Sequence, residues 1–126
     1  MSTLLEQAEL AADLLGAAAH ENGRIVCTAE SLTGGMVSEL ITSVAGSSAW
    51  FDRGYVTYQI SGKEEMIDVP AEVIAEFGVV SEPVAEAMAR GALACSHADL
   101  SVALTGGAGP SGGTAQTPVG TVCIGW

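Results

Sequence analysis

The chain has 126 residues, 48% of them hydrophobic and 15% charged, which is too apolar for disorder and long enough for one domain with its own core. Four Lys and Arg face fifteen Asp and Glu, a formal net charge of −11. That excludes nucleic acid and anionic membrane as general partners, since affinity for both comes largely from Lys and Arg near phosphates.

No apolar run approaches the roughly 20 residues of a membrane span, and Met1 to Glu6 lack the basic stretch of a signal peptide. Cys27, Cys95 and Cys123 form no C-x-x-C and each lies in an apolar stretch. The expectation is three buried free thiols in a reducing cytoplasm.

Thr3-x-x-Glu6 has the form of a capping box, and Leu4, Leu5, Ala8, Ala11, Ala12 and Leu15 then recur at helical spacing up to a stop at Asn22-Gly23. Ile25 to Ala29 reads as a buried strand. After Gly34-Gly35 the helical spacing returns through Met36, Val37, Leu40, Ile41 and Val44, and Gly46 closes that helix. Tyr55 to Ile60, rich in aromatic and β-branched residues, predicts a second strand. Glu64 to Ile67 reads as a helical turn, and Pro70 suits the first turn of a helix ending near Gly78. Ser81 caps a longer helix through Val84, Met88 and Cys95. Leu100 to Thr105 is a third strand, followed by a glycine-rich loop, and Val119 to Trp126 is a fourth. This alternation predicts a layered α/β/α sandwich around a mixed sheet.

Chemistry is expected at the carboxyl ends of the strands, where open α/β sheets bind their ligands. In Thr28-Ala29-Glu30-Ser31-Leu32-Thr33-Gly34-Gly35 a hydroxyl sits between a strand end and a glycine-opened helix. Ser31 there is either a nucleophile beside free backbone N–H groups or, like Thr33, a simple helix cap. The helix start offers N–H groups and positive potential suited to an oxyanion or phosphate. His20 and His97 fall at ends of surface helices, which disfavours a Ser-His-Asp triad, and no ligand cluster for zinc is present.

Lys63, the only lysine, is a base if a buried site near Ser31 lowers its pKa, and otherwise a surface charge. Tyr58 either assists it or packs in the strand. Ser47 and Ser48 cap a turn or bond a substrate. Arg53 is an anion clamp or the ion-pair partner of Asp52. The loop from Thr105 holds Gly106, Gly107, Gly109, Gly112 and Gly113. Its backbone N–H groups can cradle a phosphate, although it is neither a Walker A loop nor a G-x-G-x-x-G helix opening.

Taken together, these segments resemble the C-terminal domain family of the competence/damage-inducible protein CinA. The Thr28–Gly35 segment is similar to its T-A-E-S-C-T-G-G motif, and Gly46 to Gly54 to its G-S-S-x-x-F-x-x-G segment. Tyr58 and Lys63 match the outer positions of its Y-S-N-x-x-K pattern. Val80-Ser81-Glu82, the glycine loop and Pro118 to Val122 follow in order, so the resemblance runs from about Leu10 to Trp126. Leu32, Gln59-Ile60 and Gly107 depart from the pattern, where the family has Cys, Ser-Asn and an aliphatic residue.

The resemblance implies a nicotinamide-nucleotide amidase, hydrolysing nicotinamide mononucleotide to nicotinate mononucleotide and ammonia in pyridine nucleotide salvage, without cofactor or metal. It implies Ser31 as nucleophile, Lys63 as base and Tyr58 as its assistant. Thr33, Gly34 and Gly35 become oxyanion and substrate contacts, Ser48 and Thr105 substrate or proton-relay groups, and the glycine loop a binding wall. It further implies a homodimer, and a domain over 1–126 without the last strand and helix that family domains carry. The alternative is a CinA-like nucleotide-binding module with little turnover.

Overall fold

The computed structural model describes residues 1–126. Helix α1 (Leu4–Glu21) opens as predicted. The Thr3 hydroxyl accepts from the Glu6 amide, the Glu6 carboxylate accepts from the Thr3 amide, and Asn22 closes the helix. The order continues as β1 (Val26–Glu30), α2 (Met36–Thr42), a 3-10 turn (Ser47–Ala49), β2 (Phe51–Val56), α3 (Ile60–Ile67), α4 (Ala71–Phe77), α5 (Glu82–Ala94), β3 (Leu100–Gly106) and β4 (Val122–Gly125). The strands lie in the order β2-β1-β3-β4. β1 is parallel to both neighbours, and β4 runs antiparallel to β3. The sheet is therefore mixed, as expected.

β1 is buried on both faces along its whole length, as a central parallel strand must be. Alternation divides its side chains between two cores. Cys27 and Ala29 join Ala103 against Ile67, Val69, Val84, Met88 and Ala92 of the α3–α5 layer. Val26 faces the other way, against Ala19, Ile41 and Trp50 of the α1–α2 layer. Each fully buried large apolar side chain, such as Ile67 or Met88, contributes about 1.5–3 kcal/mol by leaving water. Gly91 lets α5 touch the Ile67 carbonyl at the end of α3, where a Cβ would collide with backbone. That close approach seats α3 against α5.

The strand predicted at Tyr55–Ile60 lies four residues earlier. Its bounds are fixed by parallel pairing with β1, from Val26 opposite Phe51 to Glu30 opposite Val56. Ile60 instead opens α3 behind Gln59, so Lys63 sits on a helix. The polar stretch Asp52-Arg53-Gly54 concealed the strand. Asp52 and Arg53 pair with each other, and Gly54 leaves the space that the Thr28 and Ser38 hydroxyls fill. The second helix stops at Thr42, two residues short of Val44, and the fourth strand is confined to Val122–Gly125. All three cysteines are free, but only Cys27 is fully buried. No helix is long and apolar enough to cross a membrane.

Candidate active site

The parallel strands β1 and β2 end side by side, and the chain leaves each into a turn. Ser31 follows β1, with its amide bonded to the Leu104 carbonyl of β3. Thr57 follows β2, with its amide on the Glu30 carbonyl. One turn into α3, Lys63 reaches back beneath both. Its Nζ lies 3.0 Å from Ser31 Oγ, 2.6 Å from the Thr57 carbonyl and 3.1 Å from the Tyr58 carbonyl. Lys63 is 0% exposed and Ser31 is buried, and burial lowers the Lys63 pKa.

No carboxylate pairs with this ammonium; the chain's two ion pairs lie elsewhere. A neutral amine has two N–H groups and one lone pair. With the two carbonyls taking the N–H groups, the lone pair is left for the Ser31 hydroxyl. The geometry suits proton removal from Ser31.

The Ser31 turn is held from its other side by Glu30, a residue that sequence reasoning passed over. Its carboxylate is fully buried and accepts from the amides of Gly35 (3.1 Å), Val37 (3.0 Å) and Ser38 (2.9 Å) and from the Ser38 hydroxyl (2.5 Å). Burial pushes the Glu30 pKa up, but the Ser38 hydroxyl and these amides outweigh it, and the net shift is downward. Glu30 is therefore ionised. An acidic residue just before a glycine-opened helix was the available signal. The free N–H groups expected at the start of α2 are thus already occupied by the protein's own carboxylate.

Gly34 and Gly35 turn the chain at φ +60° and +107°, which other residues adopt only at a cost. Their amides bond Ser31 O and Glu30, so they shape the turn rather than offer donors. The amides of Leu32 and Thr33 have no partner in the protein. The Thr33 hydroxyl is buried with no partner at full hydrogen-bond geometry, though it faces Glu30 closely enough to help lower the pKa of that carboxyl.

The remaining predicted residues divide by sheet end. Thr105 is buried beside the site, its hydroxyl donating to the Val79 carbonyl at 2.8 Å. Gly106 abuts Leu32 and pairs with Val122. Gly109, Gly112 and Gly113 lie in the exposed loop after β3, with Gly109 and Gly113 folded against Val119. Tyr58 contributes its carbonyl, while its side chain is 68% exposed.

The structure does not bring Ser47, Ser48 or Arg53 to Ser31. They lie before β2 or in its first half, toward the opposite end of the sheet. Ser47 donates to the Thr42 carbonyl, and Arg53 bonds Asp52 at 2.9 Å and the Cys95 carbonyl at 3.3 Å. The expected anion clamp is an ion pair, because Asp52 is its immediate neighbour. His20 ends α1, and the His97 amide donates to Asp52, both away from Ser31.

Lys63 can be followed alone, as the only lysine. Its folded-state pKa is depressed below the unfolded one, so between the two values the unfolded chain binds the extra proton. Stability therefore rises with pH across that window and levels off above the unfolded pKa. NMR of the side-chain amine is expected to show a titration midpoint below that of the urea-unfolded chain, and Lys63→Met is expected to flatten the rise in stability. An unshifted or raised midpoint contradicts the buried neutral amine.

Comparison with known proteins agrees with this architecture. The family model described as CinA C-terminal domain matches residues 8–126. Nicotinamide-nucleotide amidohydrolase PncC of Escherichia coli (strain K12) is 53% identical over 108 residues, covering 86% of this chain and 66% of that protein. A CinA-like protein of Mycobacterium sp. (strain JLS) is 56% identical over 102 residues, 81% of this chain and 24% of its own length. The chain thus spans slightly under two thirds of the first of these relatives and about a quarter of the second.

Among solved structures, the competence/damage inducible protein CihA from Agrobacterium tumefaciens superposes with TM-score 0.92 at 44% identity, over 98% of this chain and 75% of that one. A CinA superfamily protein from Escherichia coli gives TM-score 0.90 at 31% identity, over 98% and 72%. With the family model covering nearly the whole chain and the fold shared closely, this protein belongs to the CinA C-terminal domain family.

Proposed function

We propose that the chain hydrolyses the carboxamide of nicotinamide mononucleotide, giving nicotinate mononucleotide and ammonia, by acyl transfer through Ser31. The observation that carries the reading is the buried Lys63 amine 3.0 Å from Ser31 Oγ. It is supported by 53% identity to a relative whose name states that activity.

In the first half-reaction the Lys63 lone pair takes the Ser31 proton while Oγ attacks the carboxamide carbon. The developing oxyanion is received by the free amides of Leu32 and Thr33. Collapse breaks the C–N bond, and Lys63 passes its proton to the leaving ammonia. In the second, water gives a proton to Lys63 and attacks the Ser31 ester. Nicotinate mononucleotide leaves and Ser31 recovers its proton. Each proton that Lys63 takes is returned within the same half-reaction.

The nucleotide lies against the glycine loop on the same end of the sheet. There the amides of Ala108, Gly109, Ser111, Gly112 and Gly113 have no partner in the protein and are free for a phosphate. The buried Thr33 hydroxyl bonds the carboxamide. We also assign a cytoplasmic location and a homodimer. The dimer is favoured by the sheet edge at β4, where Val122 and Ile124 are exposed. Light scattering at tens of micromolar is expected to give twice the chain mass, and a monomer contradicts it.

The direct test is ammonia release from nicotinamide mononucleotide. Ser31→Ala and Lys63→Ala are each expected to lose at least about a thousandfold in kcat while remaining folded. More than a tenth of the wild-type rate in Ser31→Ala overturns the mechanism. Nucleotide binding by wild type without ammonia release identifies a binding module instead.

A further inference from the structure

We infer that Glu30 is the positioning residue for the oxyanion donors of the Ser31 turn, an inference that rests on acyl transfer at Ser31.

A buried carboxylate is costly unless its oxygens are hydrogen-bonded. Here each oxygen of Glu30 takes two donors. Oε1 holds the Gly35 and Val37 amides, and Oε2 holds the Ser38 amide and hydroxyl. The Ser38 hydroxyl is itself held by Thr28 Oγ1 at 2.7 Å, in the space left by the bare Gly54. Glu30 is the last residue of β1, so its backbone belongs to the sheet while its side chain grips the start of α2. The four residues between, Ser31 to Gly34, are spanned like a loop across a clasp. One end is set by the Ser31 amide on Leu104 O and the other by Gly35 on the carboxylate.

Two consequences follow for the chemistry. The clasp fixes where the Leu32 and Thr33 amides stand relative to Ser31 Oγ, and such donors act only when aimed in advance. It also consumes the amides of Gly35, Val37 and Ser38. An anion arriving at the start of α2 therefore finds only the turn's own two N–H groups, those of Leu32 and Thr33. Glu30 touches neither Ser31 Oγ nor Lys63 Nζ among its hydrogen bonds, so it acts on the transition state through the turn.

Glu30→Gln keeps the shape but replaces one acceptor oxygen with an NH₂ facing backbone amides. It is expected to lower kcat for ammonia release by about a hundredfold. KM should stay within about threefold, and the pH dependence set by Lys63 should not move. Ser38→Ala removes the 2.5 Å bond and the Thr28 contact to the same hydroxyl but leaves the three amides on Glu30, and is expected to lose about tenfold in kcat with the same unmoved KM and pH profile. It decides the matter if Glu30→Gln does not fold.

A purely structural clasp predicts the opposite: fewer folded molecules, each with the wild-type kcat. That result in either variant overturns the inference. The rate at which a fluorophosphonate labels Ser31 separates this question from that of the substrate, because the phosphoryl oxygen needs the same donors as the amide oxyanion. Wild type that is labelled but releases no ammonia overturns the substrate reading alone. Labelling then tests the clasp, with slower labelling of folded Glu30→Gln supporting it and equal labelling overturning it.

Discussion

Everything at the functional end of this protein depends on one amine in a dry place. Lys63 Nζ is surrounded by three oxygens and no carboxylate, in a chain with a formal charge of −11. Acidic surroundings alone would favour the ammonium form. Burial works the other way and prevails. The two carbonyls also orient the amine. They come from Thr57 and Tyr58, the residues that carry the chain from β2 to α3, so the end of the strand itself aims the base. The close contact of Gly91 with the end of α3 then serves catalysis through packing, by keeping the helix that carries Lys63 against α5.

The two faces of the sheet divide the work. On the α3–α5 side the base rises toward Ser31. On the α1–α2 side the Thr28–Ser38–Glu30 network holds the turn that follows Ser31. Lys63 and Glu30 are the chain's only fully buried charge-bearing side chains, and they flank that turn from opposite layers. Donors stabilise the charge on Glu30 and lower its pKa, whereas burial disfavours the charge on Lys63 and lowers its pKa, which moves each toward the form its role requires. The other ionic features, Arg53 with Asp52 and Arg90 with Glu86, lie on the surface, where ion pairs contribute little.

What was legible in the sequence was what is decided locally. The Thr3–Glu6 capping box, the stop at Asn22-Gly23 and the Ser81 cap depend on residues three or four apart, and all three formed as read. The β2 bounds did not, because they are set by pairing with β1 some 25 positions away. Tyr55 to Ile60 has the better strand composition, but only Tyr55 and Val56 of it find partners on β1. Ser31 was visible from the strand–turn–glycine pattern. Lys63 was visible as a candidate base buried near Ser31, but its two carbonyl partners and its place on a helix were not. Glu30 was hidden because its ligands are mostly backbone amides, which carry no residue signature. For Arg53 the sequence left a ligand clamp and an ion pair with Asp52 both open, and the structure shows the ion pair.

The central claim is that a neutral Lys63 activates Ser31. It is tested most directly by the rate of fluorophosphonate labelling as a function of pH, with the modified residue located by peptide mass spectrometry. The account predicts labelling at Ser31 alone, with a rate that rises as Lys63 loses its proton at a depressed pKa and collapses in Lys63→Ala. Labelling of Lys63→Ala at the wild-type rate, or modification at another hydroxyl, would contradict it.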